Sequence, residues 1–280
     1  MTKYLILNAD DFGYNKAQTD AIYELYSAGL ISSVSLLTVA DYANEAAKLA
    51  SKAHIPVGVH LTINSGNPNH RWQSLSGANS LSDENGLYPN GASLALHAKR
   101  RDVAAELEAQ YAFLEKYGCE IDHADNHCAT LYGINGRRFY KDVYAFCAHH
   151  NLPYRFPKTP YFIERQLGRK LPRAVYAFQK HLVSLGAASG VRLPDDVVSN
   201  PYPMEKIQNY ENLRQYYLDA VDNCIAGVTE MFLHPAYPIS DDREWEKRVL
   251  EFRLLKSGDL LQRAEDKGIQ VVSWRIFEKM

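Results

Sequence analysis

The chain has 280 residues, a formal net charge of −2 and 46% hydrophobic residues, which is the composition of an ordinary globular protein. This charge excludes the strongly basic surface that binding to nucleic acid or to an anionic membrane requires. No stretch approaches the roughly 20 consecutive apolar residues that span a bilayer. Residues 1–3 lead directly into an apolar run, without a signal-peptide pattern. We therefore expect a cytoplasmic protein that binds neither nucleic acid nor membrane.

Apolar runs alternate with helical patterns along most of the chain. The runs that predict strands are residues 4–8, 34–39, 55–63, 120–127, 152–156, 190–198, 228–236 and 269–274. The patterns that predict helices are residues 16–28, 42–53, 100–117, 139–149, 171–185, 213–225 and 244–267. About eight strand–helix units in a row favour a parallel sheet with the helices outside it.

The length of the chain favours one α/β domain over residues 1–280. We predict a single-domain (β/α) barrel-like fold, either TIM-barrel-like or a distorted form of it. An open, doubly wound sheet is the alternative, although no GxGxxG or P-loop motif follows a predicted strand. Residues 64–97 are rich in Gly, Asn, Ser and Pro and show no sustained period, so we predict a long loop insertion there.

Polar side chains stand where several of the predicted strands end. In barrels of this kind the active site lies at the carboxyl ends of the strands. The polar residues at these ends are Asp10, Asp11, His60, Asp125, His127 and His234. Each alone has a structural explanation, such as helix capping by an aspartate or a hydrogen-bonded core histidine. Together they predict one site, because imidazole and carboxylate groups are a common ligand set for zinc or another divalent metal.

Three further features leave alternatives open. Asp195, together with Asp196, either orients a ligand or lies in a solvated loop. Arg243 or Arg248 either reaches back to a carboxylate beneath the site or lies on an exposed helix with weak ion pairs. Cys128 directly follows a candidate metal ligand, but a packing role is favoured over thiolate chemistry.

At these residues the chain resembles the YdjC/ChbG-like carbohydrate deacetylases, which include chitooligosaccharide deacetylases. "NADDFG" (8–13) is similar to the opening motif of that family, and "GVHL" (58–61) to its second motif. "DNH" (125–127), "PDD" (194–196) and "HPA" (234–236) resemble the later motifs, in the same order along the chain. The family usually has Ser where Asn126 stands and commonly a further His at Cys128-Ala129, so the resemblance does not specify the sugar.

The resemblance implies a barrel-like deacetylase that uses one divalent metal ion, Mg²⁺ or Zn²⁺. It implies that Asp11, His60 and His127 bind this ion. It also implies that Asp10 is the catalytic base and that His234 acts as acid or oxyanion partner.

The implied reaction is hydrolysis of an N-acetyl group from an amino sugar or short oligosaccharide, so the expected partner is an acetylated amino sugar. We expect Asp195, Trp72 and Asp125 to contact this substrate. The assembly is left open between a monomer and a homodimer. Two other functions stay open: a non-catalytic sugar-binding or regulatory protein, and a metal-dependent hydrolase of another bond such as a phosphoester. The phosphoester reaction favours an Arg or Lys clamp at the strand ends, which the sequence does not show.

Overall fold

The computed structural model describes residues 2–133, 137–239 and 243–280. The strands are β1 (Lys3–Phe12), β2 (Ser33–Leu36), β3 (Val57–Leu61), β4 (Ser82–Asp83), β5 (Gly86–Leu87), β6 (Ile121–Asn126), β7 (Asp196–Val198), β8 (Gly227–Leu233) and β9 (Gln270–Val271). The helices are α1 (Lys16–Ser27), α2 (Ala43–Lys52), α3 (Gly91–His97), α4 (Arg100–Lys116), α5 (Tyr140–His149), α6 (Tyr161–Leu167), α7 (Arg173–Ala188), α8 (Met204–Ile207), α9 (Tyr210–Asp222), α10 (Arg243–Ser257) and α11 (Asp259–Asp266).

The main sheet is parallel and has the strand order β6-β3-β2-β1-β8-β7, with β9 added beside β1. Between β6 and β7 the backbone continues the curve, because Arg155 N donates to Ala124 O and Tyr154 N donates to Arg192 O. The strands therefore follow chain order around a barrel-like sheet, and helices surround it. The predicted α/β barrel-like fold is confirmed.

Three predicted strands are much shorter than their sequence patterns. Residues 152–156 form only a bridge between Tyr154 and Ala124, and β7 covers only the last three residues of the predicted run 190–198. Pro153 and Pro194 have no backbone N–H, so neither can donate in a strand ladder. Of the predicted strand 269–274, only the two residues of β9 pair with the main sheet. They pair with Tyr4 and Leu5 of β1, before the point at Asn8 where β1 begins to pair with β2.

The barrel interior changes character along its length. Ile6, Val228, Trp274 and Phe277 form a small apolar cluster, and residues 274–278 are a 3₁₀ turn that closes this end. The larger apolar cluster lies between the sheet and the helices. Side chains alternate along β1, so Leu5, Leu7 and Ala9 point outward and join that larger cluster. Ile6 points inward into the small apolar cluster, and the next inward positions, Asn8 and Asp10, are polar. The interior is therefore polar towards the carboxyl ends of the strands, and apolar side chains close the opposite end.

The segment 64–97 contains regular structure, namely the β4–β5 hairpin and α3. Leu87 N donates to Trp72 O, which ties the hairpin to the start of the segment. Gly86 has φ 116°, and a Cβ there would lie 2.4 Å from Trp72 O, so only glycine fits. Within the described ranges, no helix combines the length and apolar character that a membrane crossing needs.

Candidate active site

An irregularity in β1 brings two adjacent aspartates to one side of the sheet. β1 continues through Asp10 and Asp11 to Phe12, so the aspartates lie in the strand and not after it. The pairing register with β2 shifts between Ala9 and Phe12, and Asp11 has φ 65°. In a regular strand neighbouring side chains point to opposite faces, and a bulge breaks that alternation. Both carboxylates therefore reach the buried interior, with 1% of each residue exposed.

Asp11, His60 and His127 bring three ligand atoms together. Asp11 Oδ1 lies 3.4 Å from His60 Nε2 and 3.5 Å from His127 Nδ1. This oxygen is buried and accepts no hydrogen bond from the described residues. A tetrahedral ion with bonds of about 2.1 Å places its ligand atoms about 3.4 Å apart. The three side chains therefore fit a divalent metal ion in donor type and in spacing.

The charges around this cluster favour a cation. Four buried carboxylates surround the cluster, namely those of Asp10, Asp11, Asp125 and Glu230. Two guanidinium groups bind them, those of Arg155 and Arg248. Four negative charges thus face two permanent positive charges among the described residues. A divalent ion would supply the missing two charges.

The two candidate histidine ligands respond to the same excess of negative charge. Burial lowers the pKa of His60, but the charge of Asp125 and the Asp11 carboxylate 3.4 Å away outweigh burial and hold this pKa well above its usual value. Burial also lowers the pKa of His127, while the charges of Cys128 and Asp11 raise it to about 10. A bound metal and these protons are alternatives, because an imidazole must be neutral to bind a metal.

Asp125 lies beneath His60 and not in the mouth of the site. Its Oδ1 is 2.7 Å from His60 Nδ1, and its other oxygen accepts from Ser35 Oγ and forms an ion pair with Arg155 Nη2 at 2.7 Å. A carboxylate on one imidazole nitrogen fixes the tautomer and directs the other nitrogen to the metal. The residue is fully buried, so this position differs from the expected substrate contact and is that of a positioning group.

Asp10 is held by Arg155. Arg155 Nη1 donates to Asp10 Oδ2 at 2.6 Å, and Nη2 donates to Oδ1 at 2.7 Å. Arg155 also donates through Nε to Glu230 at 2.8 Å. Asp10, His60 and Asp125 form a second group whose atoms could meet at an ion, but Arg155 already occupies both Asp10 oxygens. The cluster around Asp11 is therefore the better metal site.

His234 stands beside Asp10 at the open side of the cluster. Its Nε2 is 3.9 Å from Asp10 Oδ2, and about a third of its side chain is exposed at 32%. Its backbone N–H donates to buried Glu251, which also accepts from the hydroxyl of Tyr217. Burial is the main cause that lowers the pKa of His234, so its imidazole is neutral at neutral pH. A fixed backbone and a neutral ring suit a group that relays a proton.

Arg248 reaches Asp11 from α10. Its Nη1 donates to Asp11 Oδ2 at 3.0 Å and to Gln18 Oε1 at 2.8 Å. Its guanidinium also lies 5.4 Å from the ring centre of Tyr14. Of the two alternatives that the sequence leaves open for this helix, Arg248 takes the one in which the arginine reaches a carboxylate of the site, whereas the Arg243 side chain lies outside the described part of the structure.

Comparison with known proteins identifies the family. Residues 4–266 match the sequence profile of the YdjC-like protein family. The chain belongs to the YdjC-like family. It is 28% identical over 289 residues to a carbohydrate deacetylase of Geobacillus stearothermophilus, with 100% of both chains covered. It is 34% identical over 129 residues to a chitooligosaccharide deacetylase of Proteus mirabilis, covering 45% of this chain and 49% of the relative. The crystal structure of an Enterococcus faecalis protein matches 99% of both chains at 26% identity, with a TM-score of 0.76.

Two further residues that are expected to contact the substrate, Trp72 and Asp195, take different positions relative to the cluster in this YdjC-like chain. Trp72 is only 3% exposed, and its ring centre lies 5.7 Å from that of His127, so it forms a wall of the site. Asp195 accepts from Lys158 Nζ and from Val228 N, close to the amino end of β8. The cluster lies at the carboxyl ends, so Asp195 is on the other end of the sheet. The predicted strand was placed too early, and the aspartate precedes β7 instead of following it.

Sequence reasoning did not find Arg155 or Glu230. Both lie inside apolar runs, "LPYRF" and "VTEMFLH", where a lone charge is unusual. A charged residue in a buried strand requires a partner, since an unpaired buried charge is strongly unfavourable. The presence of one arginine and one glutamate inside two apolar runs could therefore have predicted the buried ion pair between Arg155 and Glu230.

Proposed function

We propose that this YdjC-like chain is a metal-dependent carbohydrate deacetylase that removes the acetyl group from an acetylated amino sugar. The names of its relatives support the activity, since they are called carbohydrate and chitooligosaccharide deacetylases. The observation that carries the proposal is the unpartnered Asp11 Oδ1 between two imidazole nitrogens, with Asp10 and His234 next to it. Location in the cytoplasm and assembly as a monomer or homodimer stay predictions.

Asp11, His60 and His127 would hold the ion. Two nitrogen donors and one carboxylate favour zinc or another first-row divalent metal over magnesium, which prefers oxygen ligands. When bound, such an ion supplies a Lewis acid that polarises the acetamido carbonyl and lowers the pKa of water.

The acid–base chemistry belongs to Asp10 and His234. Asp10 accepts a proton from the attacking water, and the two hydrogen bonds from Arg155 hold this carboxylate in a fixed orientation. Water oxygen adds to the acetyl carbon, and the C–N bond then breaks. Neutral His234, whose Nε2 lies 3.9 Å from Asp10 Oδ2, takes this proton when the two groups approach to hydrogen-bond distance in the substrate complex, and it passes a proton to the leaving nitrogen. The products are acetate and the free amino sugar.

The alternative of phosphoester hydrolysis is less well supported by the site. Phosphoryl transfer needs cations that are free to clamp the phosphate. Within the described residues, Arg155 is bound to Asp10, Asp125 and Glu230, and Arg248 is bound to Asp11. Both arginines near the reacting groups therefore compensate carboxylates of the protein.

Acetate release from N,N′-diacetylchitobiose tests the proposed function. Purified protein supplied with Zn²⁺ should release acetate, and treatment with a chelator should abolish the release. Asp10→Asn, with metal supplied, should be inactive, which excludes a contaminating enzyme. No acetate from acetylated mono- or disaccharides under these conditions would leave the non-catalytic sugar-binding alternative.

A further inference from the structure

A pocket of about 430 Å³ adjoins the cluster. One wall is residues 201–204, and the other is formed by Lys247, Arg248 and Glu251 of α10, with His234 also in the lining. Its volume lies in the range of small-molecule sites. Arg248 binds Asp11 and His234 lies 3.9 Å from Asp10, so two residues that line the pocket contact the reacting groups.

Other sides of the cluster are occupied by packed side chains. Buried Trp72 lies against His127. On the side of Arg155, the ring of Phe232 lies 4.4 Å from the guanidinium carbon, and Phe162 packs against Phe232. A second cavity of about 320 Å³ is lined by residues such as Asp196 and Thr229, and it includes none of the cluster. The pocket beside His234 is therefore one approach to the cluster among the described residues, and it is the approach that borders His234 and Arg248.

The wall formed by residues 201–204 is fixed before any ligand binds. Lys247 Nζ donates to Asn200 O at 2.7 Å and to Tyr202 O at 3.1 Å. Tyr202 N donates to Asn200 Oδ1 at 2.8 Å, and Asn200 N donates to the hydroxyl of Tyr217. Because this wall is already ordered, a ligand binds without the entropic cost of ordering a loop.

The lining combines an apolar surface with polar groups. Pro201, Tyr202 and Pro203 provide apolar surface, and Tyr202 remains 39% exposed. Lys247 is an ammonium with three N–H donors, of which two are used by backbone carbonyls of the described residues. A pyranose ring has a matching chemistry, with an apolar C–H face and hydroxyl groups at its edge.

We propose that this pocket binds the sugar ring of the acetylated substrate, with Tyr202 against the apolar face and Lys247 donating to a hydroxyl. The proposal rests on the proposed function, since the sugar must carry its acetamido group to the cluster. The lining has two cations, Lys247 and Arg248, and two carboxylates, Glu205 and Glu251. This balance favours an uncharged sugar over a strongly anionic one.

Tyr202→Ala tests the pocket. Loss of an aromatic contact should raise KM for N,N′-diacetylchitobiose by about five- to tenfold, with metal content unchanged and kcat changed by less than about twofold. Tyr202→Phe keeps the ring and should recover most of the loss. Tyr176→Ala is the matched control, because Tyr176 is 42% exposed and lies on α7, away from the pocket. An unchanged KM for Tyr202→Ala would overturn the proposal.

A binding measurement separates failure of the pocket from failure of the proposed function. Calorimetry with metal-loaded Asp10→Asn, which cannot turn over, should detect N,N′-diacetylchitobiose, and adding Tyr202→Ala should weaken this binding by the same factor. Sugar binding that depends on Tyr202, without acetate release by the wild type, would support the pocket and overturn the deacetylase. Acetate release with binding that does not depend on Tyr202 would overturn the pocket alone. Absence of both binding and release would overturn both proposals.

Discussion

The carboxylate of Asp125 lies 2.7 Å from Nδ1 of His60, and both side chains are buried. This contact leaves His60 Nε2 facing Asp11 Oδ1. Asp125→Asn should therefore weaken metal affinity by about 10- to 100-fold, the usual effect of losing the carboxylate behind a histidine ligand. Competition with a chromophoric chelator measures the affinity.

Asp122→Asn is the matched control for that variant. Asp122 lies 2.6 Å from Nδ1 of His123, a similar aspartate–histidine pair whose histidine is not part of the candidate metal cluster and lies 4.0 Å from Asp125. Its metal affinity should stay within about twofold of the wild type. Equal losses in Asp122→Asn and Asp125→Asn would mean that the effect comes from general disruption of the barrel interior.

The adjacent aspartates should behave differently when each is replaced. Asp10→Asn should abolish turnover while metal content stays nearly intact, because Asp10 binds Arg155 and lies next to the open site. Asp11→Asn should lower both, because Asp11 supplies the oxygen between the two imidazoles. Metal analysis and acetate release on the same preparations measure the two effects. The reverse behaviour would exchange the roles of base and ligand.

Arg155→Met should destabilise the fold strongly. Arg155 is buried and pairs with Asp10, Asp125 and Glu230, so its removal leaves three carboxylates without their cation. Breaking a buried pair from one side costs about 3–5 kcal/mol. Urea unfolding measures the loss, and Arg192→Met, which removes bonds mainly to backbone carbonyls at the surface, should cost much less. Similar unfolding midpoints for both variants would contradict the assigned role of Arg155.

His234→Ala should lower kcat by about 10²- to 10⁴-fold, the usual contribution of a positioned acid–base group. Metal content should change little, because the His234 imidazole is not among the three ligand groups of the cluster. Steady-state kinetics and metal analysis together check the outcome. If the His234→Ala variant loses its metal, His234 is a metal ligand. If the variant keeps full activity, His234 has only a structural role at the end of β8.

Cys128 should be the cysteine that reacts first with iodoacetamide. It is exposed, whereas Cys147 and Cys224 are buried and Cys119 is partly covered. Burial also raises the pKa of Cys119 and of Cys224 to about 11, which leaves little thiolate at neutral pH. Peptide mass spectrometry after brief labelling identifies the modified residue. Earlier labelling of another cysteine would contradict the described arrangement around residues 127–129.

The sequence predicted the candidate ligands because each polar residue ends or follows an apolar run, and parallel strands bring their carboxyl ends to one side. It could not predict the bulge at Asp11, because a bulge depends on how β1 pairs with β2. The run ending at Trp274 has the pattern of a buried strand, yet the tryptophan fills the end of the barrel. An apolar run predicts that its residues are buried, but it does not show whether they form a strand or a turn that closes the end of the barrel.

A metal held by Asp11, His60 and His127 should be required for deacetylation. The most direct test is a titration of metal-stripped protein with Zn²⁺, with acetate release from N,N′-diacetylchitobiose followed at each step. We expect almost no release at the start, a linear rise and a sharp break at one ion per chain. Full acetate release by the stripped protein, or a rise that continues unchanged in Asp11→Asn, would contradict the account.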